Sequence, residues 1–170
     1  MRIRVVPYSK NWPDQYEAEK SLLAEALGDA LVEAHHIGST AVPGLAAVPV
    51  IDLMLVVDDL AALDAAQEAL SRAGYERADD PTASGGVLLR KQAQASPDDV
   101  YAQAFAFPVS DAHDIRRHLA VRDYLRTHKS AGGGYVNLKR MIARQSGRDY
   151  DAYCRGKKAF MQQLERSARA

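Results

Sequence analysis

The stretch Val48–Val57 (VPVIDLMLVV) is the sequence feature that most constrains the fold of this chain. Its apolar residues occupy both alternating sets of positions, a pattern typical of a central strand that is covered on both faces of a sheet. The pattern predicts two buried sets of side chains, one on each face: Ile51, Leu53 and Leu55, and Val50, Met54 and Val56. The stretch is too short for a membrane-spanning helix, which needs roughly 20 apolar residues, and Asp52 interrupts it.

Local patterns place the other elements around this strand. A first helix begins near Pro13 and stops at Gly28, since proline fits a first helical turn and glycine ends a helix. The predicted strands are Ala30–Ile37, Val48–Val57, Tyr75–Ala78, Val87–Lys91 and Val100–Phe107, and the later helices are Asp58–Ala73, about 111–127, about 131–146 and about 149–168. This order predicts an α/β (α+β) fold with a mixed β-sheet, flanking helices and a C-terminal helical segment.

The length and composition fit one ordinary globular unit. The chain has 170 residues, of which 47% are hydrophobic and 26% charged, so it can bury a substantial core. We expect a single domain over residues 1–170, with a mixed-sheet core at 1–110 and a basic helical segment at 111–170. The lone Cys154 excludes a disulfide framework. The N-terminus lacks the apolar segment of a signal peptide, so we expect a cytoplasmic protein.

Asp52 is the residue that points most directly to chemistry. An acid inside a doubly covered apolar strand is costly unless it is hydrogen-bonded, ion-paired or bound to a cation. Upstream, the strand Ala30–Ile37 ends in a Gly38-Ser39 turn followed by Thr40, whose backbone N–H groups and hydroxyls suit a phosphate. A phosphate on the turn and a metal on Asp52 would bring Mg²⁺ and a nucleotide together. The alternative is structural, a hydrogen bond from Asp52 to a loop or to an arginine.

The formal net charge is zero, yet the charges are divided along the chain. Residues 1–110 hold 8 Lys and Arg against 16 Asp and Glu, a net charge of −8, whereas residues 111–170 hold 14 against 6, a net charge of +8. Two interpretations are open: the halves neutralise each other by packing together, or an anionic ligand bridges them. The second predicts that cations converge beside the Ser39–Asp52 cleft: Arg90, Lys91 and part of the set Arg122, Lys139 and Lys157.

No motif with interleaved aromatic residues and glycines indicates RNA binding, so a nucleic-acid partner is not expected.

Residues near this cleft carry weaker signals with open alternatives. The larger side chains of Val100–Phe107 share one face, which favours either core packing or an aromatic-walled pocket. They are Tyr101, Gln103, Phe105 and Phe107. His36 precedes the turn and would project near Gly38. The pair Arg90-Lys91 ends the preceding strand and either neutralises an anion or is a solvated strand end.

Four segments resemble the GrpB family: VVPYSKNWPDQYEAEK, HIGSTAVPGLAAVPVIDLMLVV, HLAVRDYLRTH and YVNLKRMIA. That family is similar in fold to the nucleotidyltransferase superfamily, whose pattern is a Gly-Ser turn, a strand with two acids one residue apart, and a third acid on a later strand. Gly38, Ser39 and Asp52 match the turn and the first acid. The resemblance therefore implies a transferase-type, nucleotide-binding pocket with Asp52 and Ser39 as catalytic residues and Asp52 as the ligand of Mg²⁺. It also implies substrate-binding roles for the basic residues at positions that resemble the family: Arg90, Lys91, Arg122, Lys139 and Lys157. Substrate-binding roles are likewise expected, from their positions at the turn or on the larger face of Val100–Phe107, for His36, Gly38, Thr40 and Gln103.

The chain also departs from this pattern. The second acid falls on Met54, the basic residue common before the proline of the acid strand falls on Val48, and the family's His-rich strand falls on Tyr101–Phe107, which contains no histidine. Two-metal phosphoryl chemistry needs several carboxylates, so we expect at most weak, single-site Mg²⁺ binding. The expected function is a pocket that acts on a nucleotide or another anionic small molecule after divergence from standard nucleotidyl transfer. The alternative is a non-catalytic protein that binds nucleotides, other anions or a partner.

Overall fold

The computed structural model describes residues 3–82 and 85–170, which form a five-stranded mixed sheet flanked by helices. The strands are β1 (Leu31–Ile37), β2 (Ile51–Val57), β3 (Tyr75–Ala78), β4 (Val87–Ala93) and β5 (Ser96–Pro108). The helices are α1 (Trp12–Leu27), α2 (Ala61–Ala65), α3 (Gln67–Arg72), α4 (Ala112–Thr127), α5 (Lys129–Ser146) and α6 (Tyr150–Arg169). The sheet order is β1-β2-β5-β4-β3, in which β2 and β5 run parallel and the other neighbours are antiparallel. This confirms the α/β class and the mixed sheet. Among the described residues, no helix is both long and apolar enough to span a bilayer.

Strand β2 is buried on both faces, as its sequence predicts. One face carries Ile51, Leu53 and Leu55, which pack in a core with residues of α1 and α3. The other face carries Met54, which packs with Ile37 of β1 and Phe107 of β5. The strand begins at Ile51 and not at Val48, because Pro49 has no N–H to donate to a ladder. The chain bends there instead, with the Val50 N–H bonded to the Val48 carbonyl at 2.7 Å.

The helix predicted over Asp58–Ala73 is two short helices. The break lies at Ala66, where φ is −96° and ψ is 7°. The Ala66 N–H still bonds to the carbonyl of Ala62, so the break is local. Leu63 before it and Leu70 after it both lie in the core beside α1. The apolar spacing of the segment therefore predicts its buried face correctly even though the helix is interrupted.

Strands β4 and β5 form a longer hairpin than the sequence predicts. The predicted strands Val87–Lys91 and Val100–Phe107 leave a loop around Pro97 between them, but β5 already begins at Ser96. The register shifts between Gln92 and Ala93, so the proline lies where the ladder is interrupted, and a proline is tolerated at such a bulge. A second shift, between Lys91 and Gln92, leaves Tyr101 without an opposite partner. Tyr101 therefore packs toward the α1 core, and the prediction that it shares a face with Gln103 is wrong.

Helices α4, α5 and α6 cover the other face of the sheet. Ile115 and Leu119 of α4 pack on the cluster that contains Met54. The loop between β1 and β2 joins a second cluster through Val42 and Leu45, together with Val121, Leu125, Tyr135 and Leu164 of the three helices. This packing fixes the Gly38–Thr40 segment between the sheet and the helical segment.

Candidate functional site

A cavity of about 230 Å³ lies between the sheet and the C-terminal helices. Part of its polar lining comes from the sheet and the turn after β1: Gly38, Ser39, Asp52, Arg90 and Gln103. Its apolar wall includes Leu88, Phe105, Val121, Leu125 and Met161. The rest of its polar lining follows β3 or lies on α4 and α6. These residues are Asp80 and Thr82, then Arg117, His118 and Arg122 of α4, and Lys157, Lys158, Gln162 and Glu165 of α6. The chain thus brings the turn, the strand acid and cations of both halves to one cavity.

Gly38 holds the turn against Asp52. Its φ of +71° lies in the region that favours glycine. A Cβ at this position would also collide with Asp52 Oδ2. The close approach therefore requires glycine, and the short 3-10 turn Ser39–Ala41 follows directly.

Asp52 is paired with an amide from the neighbouring strand. Gln103 lies opposite Asp52 in the β2–β5 register, and its Nε2 donates to Asp52 Oδ1 at 2.6 Å. Burial raises the pKa of Asp52, whereas Lys157, the hydrogen bond from Gln103 and Arg90 lower it. The strand acid is therefore a carboxylate with one amide partner, set among cations.

Lys139 supports the turn from behind. Its side chain is only 1% exposed, and its Nζ donates to Ser39 Oγ at 2.9 Å and to the Ala46 carbonyl at 2.5 Å. The ammonium also lies 4.5 Å from the centre of the Tyr135 ring. Burial and the nearby charge of Lys157 lower the pKa of Lys139 to about 7. Lys139 orients Ser39 but does not itself line the cavity.

The other predicted cations separate into two groups. Lys157, Arg90 and Arg122 line the cavity. Lys91 does not, because neighbours in a strand point to opposite faces of the sheet. Its Nζ is instead 3.0 Å from both carboxylate oxygens of Glu19 on α1. The prediction that Arg90 and Lys91 both reach the cleft is therefore wrong for Lys91.

His36 and Thr40 lie behind the turn and do not line the cavity. His36 Nε2 is 2.9 Å from Thr40 Oγ1, and its ring stacks on Tyr16 of α1 at 4.8 Å. Burial and the charges of Arg126 and Arg122 lower the pKa of His36 to about 4. A neutral His36 at physiological pH thus supports the turn from the α1 side.

Sequence reasoning missed several side chains at this site. Arg126 clamps the turn, with Nε and Nη2 donating to the Ala41 carbonyl at 3.1 and 2.9 Å. His118 lines the cavity beside Phe105, and burial lowers its pKa. Tyr150 lies 3.4 Å from Gln103 Nε2 through its hydroxyl. No local motif signals these residues, because each acts on a partner that is distant in sequence.

The comparisons agree with the resemblance seen in the sequence. A sequence model of the GrpB protein family matches residues 2–167. The chain belongs to the GrpB family. It is 28% identical over 168 residues to the UPF0157 protein YqkA of Bacillus subtilis, covering 99% of this chain and 48% of YqkA, so it spans about half the length of that relative. It is 31% identical over 170 residues to the UPF0157 protein BH1888 of Halalkalibacterium halodurans, covering 99% of this chain and 83% of BH1888.

Solved structures place the GrpB chain in a wider fold group. The crystal structure of the conserved protein GrpB from Enterococcus faecalis matches with a TM-score of 0.84 at 33% identity, covering 97% of this chain and 96% of that one. A structure of Cid1 in complex with its short product ApU matches with a TM-score of 0.52 at 15% identity, covering 78% of this chain and 41% of Cid1. The second likeness shows the nucleotidyltransferase-like fold alone.

The donor set of this GrpB chain does not fit a resident two-metal centre. Met54, at the position of the second acid, is fully buried among apolar side chains. The side chain next to Asp52 on β5 is the amide Gln103, which occupies one carboxylate oxygen. Within residues 3–82 and 85–170, no group of three or more His, Cys, Asp or Glu side chains could hold a metal ion. Two Mg²⁺ ions need several carboxylate ligands, and Asp52 supplies one.

Proposed function

We propose that the cavity binds an anionic small molecule, a nucleotide or another phosphorylated compound, and has diverged from standard nucleotidyl transfer. The observation that carries this proposal is that Lys157, Arg90 and Arg122 line the same cavity as the Gly38-Ser39 turn. Leu88, Phe105, Val121, Leu125 and Met161 form an apolar part of the wall, which suits a small ligand with a charged end.

Lys157 is the strongest candidate for binding the anion. Its Nζ lies 4.4 Å from the centre of the Tyr153 ring. Within the described part of the chain, it forms no ion pair with a carboxylate, unlike Arg90, which contacts Asp151, and Arg122, which contacts Asp123. An ammonium held over an aromatic ring keeps its charge for a ligand. The Ser39 hydroxyl, oriented by Lys139, provides a hydrogen bond at the same cavity.

Asp52 is proposed as the group that accepts a proton from the ligand. A carboxylate whose pKa is raised by burial is a better base than an exposed one, and it faces the same cavity as the turn. Asp52 would be the protein ligand of a single Mg²⁺ ion, and it would hold that ion weakly because cations already surround this carboxylate. The proposed binding does not depend on such an ion.

Calorimetric titration of ATP and inorganic phosphate, each with and without Mg²⁺, tests the proposal. We expect binding without Mg²⁺ that weakens as ionic strength rises. The Lys157→Gln variant should bind about tenfold more weakly, the loss expected for one charge-assisted contact. Arg155→Gln on the same helix is the matched control, because Arg155 is exposed and does not line the cavity.

Two results would refute this function. Binding that is equal in the Lys157→Gln and Arg155→Gln variants would place the anion elsewhere. If ATP binds only when two Mg²⁺ ions are also tightly bound, the pocket supports two-metal chemistry, and the argument from the donor set is wrong.

A further inference from the structure

A row of three polar side chains crosses the sheet at the floor of the cavity. Asp52 of β2 lies opposite Gln103 of β5, and Gln103 lies opposite Arg90 of β4. All three line the cavity. Along this row, which we name the floor row, an acid, an amide and a guanidinium follow one another on three adjacent strands.

The floor row contains buried polar atoms without partners. Gln103 is only 5% exposed, and its Nε2 is directed to Asp52. Among the described residues, no donor reaches its Oε1. Arg90 forms an ion pair in which Nη1 is 2.7 Å from Asp151 Oδ1. In the same part of the chain, neither that Asp151 oxygen nor Arg90 Nε and Nη2 has a hydrogen-bond partner. Buried donors and acceptors are rarely left unpaired, so this arrangement points to a ligand that pairs with both.

The unpartnered atoms indicate which hydrogen-bond donors and acceptors that ligand has. Gln103 Oε1 and the Asp52 carboxylate are acceptors, so the ligand must present a donor to them, preferably a cationic one. Arg90 Nε and Nη2 are two donors on one side of a guanidinium, which match the two oxygens of a carboxylate. A phosphate alone would satisfy Arg90 but would be repelled by Asp52 and would leave Gln103 Oε1 unpaired.

We propose that the floor row binds the head group of an α-amino acid. The ammonium donates to Asp52 and to Gln103 Oε1, and the carboxylate accepts from Arg90. The side chain then lies along the apolar wall that includes Leu88 and Phe105, which favours an apolar amino acid. This proposal rests on the proposed function and deepens it, because it assigns an amino acid to the floor of a cavity whose Ser39–Lys157 end takes the anion.

Calorimetric titration of wild-type protein with three related compounds tests the head group. L-Phenylalanine carries both groups, 3-phenylpropanoate lacks the ammonium, and 2-phenylethylamine lacks the carboxylate. We expect each truncated compound to bind at least about tenfold more weakly than L-phenylalanine. L-Leucine, 4-methylpentanoate and 3-methylbutylamine form a second set for a smaller side chain. This comparison needs no variant, so it does not depend on how substitutions fold.

Variants then locate the site. Arg90→Gln and Gln103→Leu should each weaken amino-acid binding at least about tenfold, whereas Arg77→Gln should not, since Arg77 is an exposed arginine on β3 that does not line the cavity. Circular dichroism and the unfolding temperature without ligand establish that each variant is folded.

Three outcomes would overturn the inference: no amino acid binds, the truncated compounds bind as well as their parents, or Arg90→Gln has no effect. ATP or phosphate binding measured on the same samples separates this failure from failure of the proposed function. If ATP binds and amino acids do not, only the floor-row inference fails. Tight binding of ribose, whose neighbouring hydroxyls also donate to acceptors, would assign the floor row to a sugar and would likewise overturn it.

Discussion

Replacing Lys139 with methionine should change how the stability of this protein depends on pH. The Lys139 ammonium is almost fully buried, and its pKa is lowered from 10.5 to about 7. Between these two values the unfolded chain binds more protons than the folded chain, so the stability of the wild type rises with pH. The Lys139→Met variant has no such group and keeps a side chain of similar volume.

The magnitude follows from the two pKa values. For one group with a pKa of about 7 in the folded state and 10.5 in the unfolded state, the free energy of unfolding increases by about 2 kcal/mol from pH 7 to pH 9. Below about pH 6 the contribution is flat, because Lys139 is protonated in both states. The difference in stability between wild type and variant should therefore grow by this amount over two pH units.

Urea unfolding of both proteins at several pH values measures this difference, since groups shared by the two proteins largely cancel. Lys129→Met on the same helix is the control, because Lys129 is exposed, and its difference from the wild type should stay constant. Parallel curves for wild type and Lys139→Met would refute the reasoning. They would mean that Ser39, Ala46 and the Tyr135 ring keep Lys139 charged throughout this range.

Three other substitutions or titrations have definite expected results. Gly38→Ala should lower the free energy of unfolding by about 2–3 kcal/mol in urea unfolding, because the new Cβ strains a positive φ and meets Asp52; Gly133→Ala, in open space on α5, should not destabilise. Lys91→Met should cost about 3 kcal/mol in the same assay, since it leaves the 4% exposed Glu19 without its cation. Adding Glu19→Gln should recover most of that loss, and failure to recover it would contradict the assignment. Calorimetric titration of Mg²⁺ should give at most one weak site, and two tight sites would show that a further carboxylate joins Asp52 in binding metal.

The sequence predicts the sheet well because buried strand positions are occupied by apolar residues in a regular pattern. The two-sided apolar run places Leu53 and Met54 on opposite faces of a central strand, and both are fully buried. Local exceptions are less predictable. Tyr101 follows a clean alternation in sequence, but the shift of register beside it depends on how β4 and β5 pair, which no local pattern encodes.

The candidate site is only partly predictable for the same reason. Gly38, Ser39 and Asp52 are recognisable because the turn and the strand acid are close in sequence. The contact between Ser39 and Lys139 spans 100 residues, and the pairing of Gln103 with Asp52 requires knowing that β5 lies beside β2. The location of Lys91, in contrast, follows from strand alternation: if Arg90 faces the cavity, Lys91 must face the opposite side of the sheet.

The structure shows how several cations of the positive C-terminal segment are used. Much of the positive C-terminal segment is used internally: Arg126 and Lys139 bind backbone carbonyls of the β1–β2 loop, and Arg117 pairs with Glu165. These contacts hold the Gly38-Ser39 turn in place without a ligand. Lys157 and Lys158 are different, because both line the cavity and neither forms an ion pair among the described residues. Lys157 is the less exposed of the two. If packing alone explained the division, neutralising Lys157 would leave anion binding unchanged. If the cavity binds anions, as we propose, Lys157 is the positive charge whose removal weakens that binding.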